Sequence, residues 1–151
     1  MKKISIISHS IEETLVLGEK IGRLVNAGFI LLLDGDLGAG KTALTKGIGL
    51  GLEIKKTITS PTFNIQKIYS GRISLNHIDA YRLEGMVQDL GFDEYFDEEA
   101  ITVIEWSHFM SYLLPEEYLH CTISINSDDS RTYTFEAHGN LYEKFLEALN
   151  D

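Results

Sequence analysis

Long apolar runs, cysteine, proline and clustered arginine are all scarce in this chain of 151 residues, and each scarcity removes a class of protein. No apolar stretch approaches the ~20 residues that a helix needs to cross a bilayer, and no cleavable leader pattern opens the chain. Lys2 and Lys3 precede Ile4, but the stretch to Ser8 alternates like a strand instead of forming one apolar block. Neither a membrane span nor export is expected. The single cysteine, Cys121, excludes an internal disulfide and fits a reducing compartment, the cytoplasm. Five histidines (His9, His77, His108, His120 and His138) show no zinc-ligand spacing, so no structural metal is assigned. Proline occurs only at Pro61 and Pro115, and no linker, repeat or low-complexity tract appears. With 44% hydrophobic residues the chain can bury one real core but hardly two, which predicts a single domain over residues 1–151.

Basic charge is also scarce, and unevenly so. Residues 1–75 carry a balance of +4 and residues 76–151 a balance of −14, within a net charge of −10. Such a chain is a poor generic binder of nucleic acid, because the acidic half repels phosphates. Any RNA it acts on is expected to be held by a protein partner. The densest acidic stretch, Asp89 to Glu99, holds six carboxylates interleaved with Phe92, Tyr95 and Phe96. It reads as a solvated face or as a docking surface.

What is present is a phosphate-binding loop. Gly35-Asp36-Leu37-Gly38-Ala39-Gly40-Lys41-Thr42 matches Gly-x-x-x-x-Gly-Lys-Thr. Gly35 and Gly40 supply backbone angles barred to other residues, so the loop can turn its N–H groups toward phosphate oxygens. Lys41 reaches the β- and γ-phosphates, and the Thr42 hydroxyl ligates Mg²⁺. Phe29–Leu33 reads as a buried strand before the loop and Thr42–Leu50 as the helix after it. That helix aims its positive end at the nucleotide.

The remaining pattern predicts a three-layer α/β fold, a mixed sheet with a parallel centre and antiparallel hairpin additions. Lys3–Ile7 is a first strand, and Ser10 with Glu13 forms a capping box opening a helix to about Asn26. Asn64–Tyr69 and Ile73–Asp79 flank Ser70-Gly71-Arg72 as a hairpin. Met86–Leu90 and Asp93–Phe96 suggest helical turns. Ile101–Ile104 reads as a central parallel strand, Leu119–Ile125 and Arg131–Ala137 as a second hairpin, and Leu141–Leu149 as a closing amphipathic helix.

Hydrolysis needs a metal carboxylate and something to place water. Two strand ends offer an acid, and in open α/β sheets ligands lie at the carboxyl ends of the strands. Ile101–Glu105 is a continuous apolar strand ending in a carboxylate, which favours Glu105 for Mg²⁺. Asp79 ends an alternating strand nearer an edge and suits the metal's outer shell or the attacking water. Thr59, Ser60 and Thr62, around Pro61, are candidates for a switch loop that senses the γ-phosphate, with an ordinary Ser/Thr-Pro turn as the rival.

Four motifs in order carry a further resemblance: Gly35 to Thr42, Ser60-Pro61-Thr62-Phe63, His77-Ile78-Asp79-Ala80-Tyr81-Arg82 and Val103-Ile104-Glu105-Trp106. The chain resembles the TsaE family, also called YjeE, across essentially its whole length. That resemblance implies a small bacterial P-loop ATPase required for threonylcarbamoyladenosine modification of tRNA beside the anticodon. It implies ATP and Mg²⁺ as ligands, and partnership with the TsaD–TsaB heterodimer, with tRNA reached only through those partners. By residue, it implies phosphate binding by Leu37 through Thr42, Mg²⁺ ligation by Thr42 and Glu105, and nucleotide contact by Trp106. Ile11 and Arg131 resemble the positions that flank the adenine end and the phosphates. His77, Tyr81 and Arg82 belong to the family motif, while Asp89 to Phe96 matches the family pattern loosely.

Two other function classes fit a P-loop of this size. A small-molecule kinase generally needs an arginine-bearing lid, whereas Arg23, Arg72, Arg82 and Arg131 are never clustered. A nucleotide-gated scaffold without significant hydrolysis has no evident use for Asp79 and Glu105. A GTPase is disfavoured because no Asn-Lys-x-Asp motif occurs.

Overall fold

The computed structural model describes residues 2–35, 40–58, 66–79, 99–105 and 115–150. Strand β1 (Lys2–Ser8) leads into helix α1 (Ile11–Leu24), then β2 (Ile30–Gly35) and α2 (Lys41–Gly51). The hairpin β3 (Gln66–Tyr69) and β4 (Ser74–Asp79) follows, then β5 (Ala100–Glu105). A second hairpin, β6 (Tyr118–Ile125) and β7 (Arg131–His138), and helix α3 (Asn140–Leu149) complete the chain.

The start of α1 shows its cause directly. The Ser10 side chain accepts from the Glu13 N–H at 3.1 Å, satisfying one of the helix's orphan donors. Glu13 reaches back to the His9 N–H, 3.3 Å away, one residue earlier than a standard capping box. The helix stops at Leu24, two residues short of the expectation, because Val25 is already extended (ψ 152°). Gly28 then turns the chain into β2 with φ 90°.

Seven strands form one sheet in the order β1-β7-β6-β2-β5-β4-β3. β6, β2, β5 and β4 run parallel, and β7 and β3 pair antiparallel on either side. β1 pairs antiparallel with β7. This is the mixed sheet that the pattern predicts. Parallel pairing puts the carboxyl ends of β2, β4, β5 and β6 on one edge of the sheet.

Strand periodicity sorts the side chains into two faces. Leu31, Leu33, Val103, Cys121 and Phe135 share one core with Leu17 and Ile21 of α1, Leu44 and Ile48 of α2, and Phe145 and Leu146 of α3. All three described helices therefore cover the same face. On the other face Leu32, Ile78 and Ile104 are also buried, and the helical turns expected over Met86–Leu90 and Asp93–Phe96 lie outside the described residues. β5 is buried at all six positions, as a central parallel strand should be. β4 lies one strand from the edge, yet Leu75, Asn76, His77 and Ile78 are all buried, so its polar residues are not solvent-facing as alternation suggested.

Helices α1 and α2 meet backbone to backbone. A Cβ on Gly18 would sit 2.5 Å from the Leu44 carbonyl oxygen, and one on Gly47 2.5 Å from that of Leu15. Gly22 and Gly51 repeat this contact one turn further along. Among the described residues, no helix is long and apolar enough to cross a membrane.

Candidate functional site

β2 ends at Gly35 and α2 begins at Lys41, so the two bounds of the phosphate-loop motif sit where a strand stops and a helix starts. Gly40 caps α2 with φ 113°, a left-handed angle that L side chains rarely adopt. A Cβ there would also lie 2.9 Å from the Tyr133 hydroxyl. Lys41 is only 6% exposed, and its Nζ donates to the Gly35 carbonyl at 2.5 Å, bridging the two ends of the loop. Thr42, in the first turn of α2, is half-buried. Thr45 returns its hydroxyl to the Lys41 carbonyl at 2.9 Å, which fixes that turn. Asp36, Leu37, Gly38 and Ala39 lie outside the described residues.

Register places the acids. Asp79 of β4 and Leu33 of β2 both pair with Glu105 of β5, so the three stand in one row, two residues behind Gly35. Glu105 is 4% exposed, and its Oε2 lies 2.5 Å from Nε2 of the fully buried His77. Nδ1 of His77 has no hydrogen-bond partner among the described residues. The backbone of Asp79 is placed by this register, but its side chain lies outside the described residues, as do Trp106, Thr59, Ser60 and Thr62.

The neighbouring strands bring two more candidates to the same edge. Gly35 pairs with Ile123, Ile123 with Tyr133, and Tyr133 with Ile6 in one row across four strands. Just beyond that row, Arg131 pairs with both Ile125 and Ser8. Arg131 is half-buried and donates from Nη1 to the Asp129 carbonyl at 2.5 Å. Ile11, the first residue of α1, is 68% exposed, which is unusual for a large apolar side chain.

A buried chain of hydroxyls ties these parts together. Tyr133 Oη lies 3.0 Å from Thr14 Oγ1, Thr14 Oγ1 lies 2.7 Å from Ser8 Oγ, and Ser8 donates to the Ser10 carbonyl at 2.8 Å. It runs from beneath Gly40 to the residue that caps α1. Burial pushes the Tyr133 hydroxyl above its ordinary pKa, partly offset by the bond to Thr14. Tyr133 therefore stays protonated and able to donate. Sequence reasoning missed this chain, as it missed the His77 contact and the Asp34–His120 pair (2.7 Å) beside Gly35. Cys121 is fully buried, and burial and the Asp34 charge push its thiol far up, so it packs as a small hydrophobe.

A cavity of about 730 Å³, lined by Phe29, Ile30, Tyr142 and Phe145 among others, opens at the opposite end of the sheet. None of the residues singled out for phosphate, metal or adenine lines it. The arrangement at the carboxyl edge, with a glycine-bounded loop between strand and helix and an acid at the end of the adjacent strand, defines a P-loop fold.

Comparison with known proteins agrees. The model of the family described as "Threonylcarbamoyl adenosine biosynthesis protein TsaE" matches residues 8–133. The tRNA threonylcarbamoyladenosine biosynthesis protein TsaE of Bacillus subtilis (strain 168) is 42% identical over 151 residues, covering 99% of this chain and 96% of that protein. The protein of the same name from Treponema pallidum (strain Nichols) is 38% identical over 130 residues, covering 85% of this chain and 96% of that protein. The crystal structure of Bacillus subtilis YdiB matches with a TM-score of 0.83 and 37% identity, covering 99% of this chain and 95% of that one. The chain belongs to the TsaE family, and so to tRNA threonylcarbamoyladenosine biosynthesis.

Proposed function

We propose that this chain binds ATP with Mg²⁺ at the carboxyl edge of its sheet and hydrolyses it in concert with the TsaD–TsaB heterodimer during threonylcarbamoyl modification of tRNA. One observation carries the reading. A nearly buried lysine closes the loop from α2 onto the end of β2, while a nearly buried glutamate ends the next strand. Neither charge serves packing there. Both are expensive to bury and are best explained by a ligand that needs them.

Lys41 would exchange its Gly35 carbonyl contact for β- and γ-phosphate oxygens, aided by the N–H groups at the start of α2. The donor set suits Mg²⁺, since Thr42 and Glu105 offer hard oxygen atoms. Bound Mg²⁺ would neutralise charge on the β- and γ-oxygens. Asp79, in the same row as Glu105, would orient the attacking water. Exposed Ile11 offers an apolar platform for adenine, and Arg131 a cation beside the phosphates. Thr59, Ser60 and Thr62 would sense the γ-phosphate, and Trp106 would contact the nucleotide. With a net charge of −10, the chain leaves tRNA to its partners.

The test is phosphate release by the chain alone and with TsaD–TsaB, set beside phosphoryl transfer to a panel of small molecules. Release that rises with the heterodimer and no transfer is the expected result. Transfer to a small molecule would make the chain a kinase, and nucleotide binding without release a gated scaffold.

A further inference from the structure

His77 is a histidine in the position of a core aliphatic. It lies on β4 between Leu75 and Asp79, on the helix-covered face that Leu33, Leu75 and Val103 fill with apolar side chains, and it is fully buried. A leucine would serve that packing without removing an imidazole from water. The imidazole makes one described contact, Nε2 to Glu105 Oε2 at 2.5 Å, and Nδ1 has no partner among the described residues.

We propose that His77 is a positioning residue for Glu105: its Nε2–H holds one carboxylate oxygen and thereby aims the other at Mg²⁺ at the nucleotide site. This rests on the reading of Glu105 as the metal carboxylate. An ionised carboxylate only accepts hydrogen bonds, which puts the imidazole proton on Nε2. The geometry supports a fixed orientation. Residues 77 and 105 sit on paired parallel strands, with His77 opposite Val103 and Asp79 opposite Glu105, so the ring reaches diagonally forward to the carboxylate. Both backbones belong to the sheet, and neither side chain has solvent room in which to turn. Groups that orient a metal ligand in this way commonly govern metal affinity by 10–100-fold.

The experiment is calorimetric titration of ATP into the whole chain over a series of Mg²⁺ concentrations and in EDTA. The variants are His77→Leu, His77→Asn and His77→Gln, each also combined with Glu105→Gln, and all are checked for folding by thermal melting. Leucine removes the donor and asparagine is too short to reach, so both should raise the Mg²⁺ concentration for half-maximal enhancement by about tenfold or more, with affinity in EDTA unchanged within about threefold. Glutamine can place an N–H near the Nε2 position and should restore most of the Mg²⁺ response. In the Glu105→Gln background the His77 changes should add nothing. If leucine does not fold, asparagine carries the same expectation. Wild-type Mg²⁺ dependence in the His77→Asn protein, or equal loss with and without Mg²⁺, would overturn the positioning role and leave Glu105 in place. No effect of Mg²⁺ on the wild-type chain, or an unaltered Mg²⁺ response in Glu105→Gln alone, would overturn both.

Discussion

Two regions of this molecule are built to opposite rules. The seam between α1 and α2 is apolar and so tight that Gly18, Gly22, Gly47 and Gly51 put backbone against backbone. The carboxyl edge of the sheet, one helix turn from that seam, gathers Lys41, Glu105 and His77 away from water, with one imidazole nitrogen unmet among the described residues. The first region is packing alone, and the second buries charge, which is costly without a partner. They are joined through α2, whose glycines lock onto α1 while its first residue, Lys41, reaches the end of β2. The seam fixes α2 against α1, and with it the position of Lys41 at the helix start.

That contrast predicts opposite responses to substitution. Lys41→Ala should weaken ATP binding by about a hundredfold or more, roughly 2.7 kcal/mol, because a charge-assisted contact to phosphate is lost. The unliganded chain should melt no lower than wild type, since the change also removes a buried charge. Equilibrium titration and melting together check this. At saturating Mg²⁺, Glu105→Gln should keep ATP affinity within a few-fold yet slow phosphate release by about a hundredfold. Full release in that variant would remove Glu105 from the site.

The seam should behave in reverse. Gly22→Ala pushes a methyl group into the α2 backbone, and overpacking of this kind costs about 1–3 kcal/mol, a fall in Tm of roughly 3–10 °C for a chain this long. ATP affinity should hold, because Gly22 packs at the far end of α2 from Lys41. Tyr133→Phe falls between the two regions. It removes the hydroxyl that meets Thr14 beneath Gly40, so it should cost about 1 kcal/mol of stability and loosen ATP binding a few-fold. A change in only one of those quantities would show that the hydroxyl chain serves only one region.

The smallest effect belongs to the surface. Glu147 accepts from Lys2 at 2.9 Å, and that bond, with the Lys2 charge, holds its carboxyl below the usual range. A lowered folded pKa stabilises above the unfolded value and is lost as pH falls through the folded one. Glu147→Gln should therefore lower the Tm slightly at neutral pH and leave it unchanged once both forms are protonated. Melting of the two proteins across the acid range measures the difference.

The elements were legible where local signals are strong. Ser10 and Glu13 announced α1, the Gly-x-x-x-x-Gly-Lys-Thr run announced the β2–α2 junction, and the apolar run before Glu105 announced β5. What the sequence concealed is pairing between distant elements. Four glycines at helical spacing do not say which helix they face, and Tyr133 meets Thr14 across a separation of 119 residues. His77 reads as an alternating strand's polar residue until the β4–β5 register sets it against Glu105. Only the far end of α1 fell elsewhere than expected, at Leu24 and not near Asn26, because Val25 is already extended. Trp106, the switch-loop residues and the side chain of Asp79 lie outside the described residues.

The most direct test of this division is the rise in Tm on adding Mg·ATP, measured side by side in wild type, Gly22→Ala and Lys41→Ala. At a free ligand concentration of about 100 times Kd the linkage amounts to roughly 2.7 kcal/mol, several degrees for wild type. Gly22→Ala should start lower and rise by the same amount, while Lys41→Ala at the same concentration should start level with wild type and rise by no more than about 1–2 °C. A rise in Lys41→Ala equal to that of wild type would contradict the account, because ATP would then bind without the buried lysine at the start of α2.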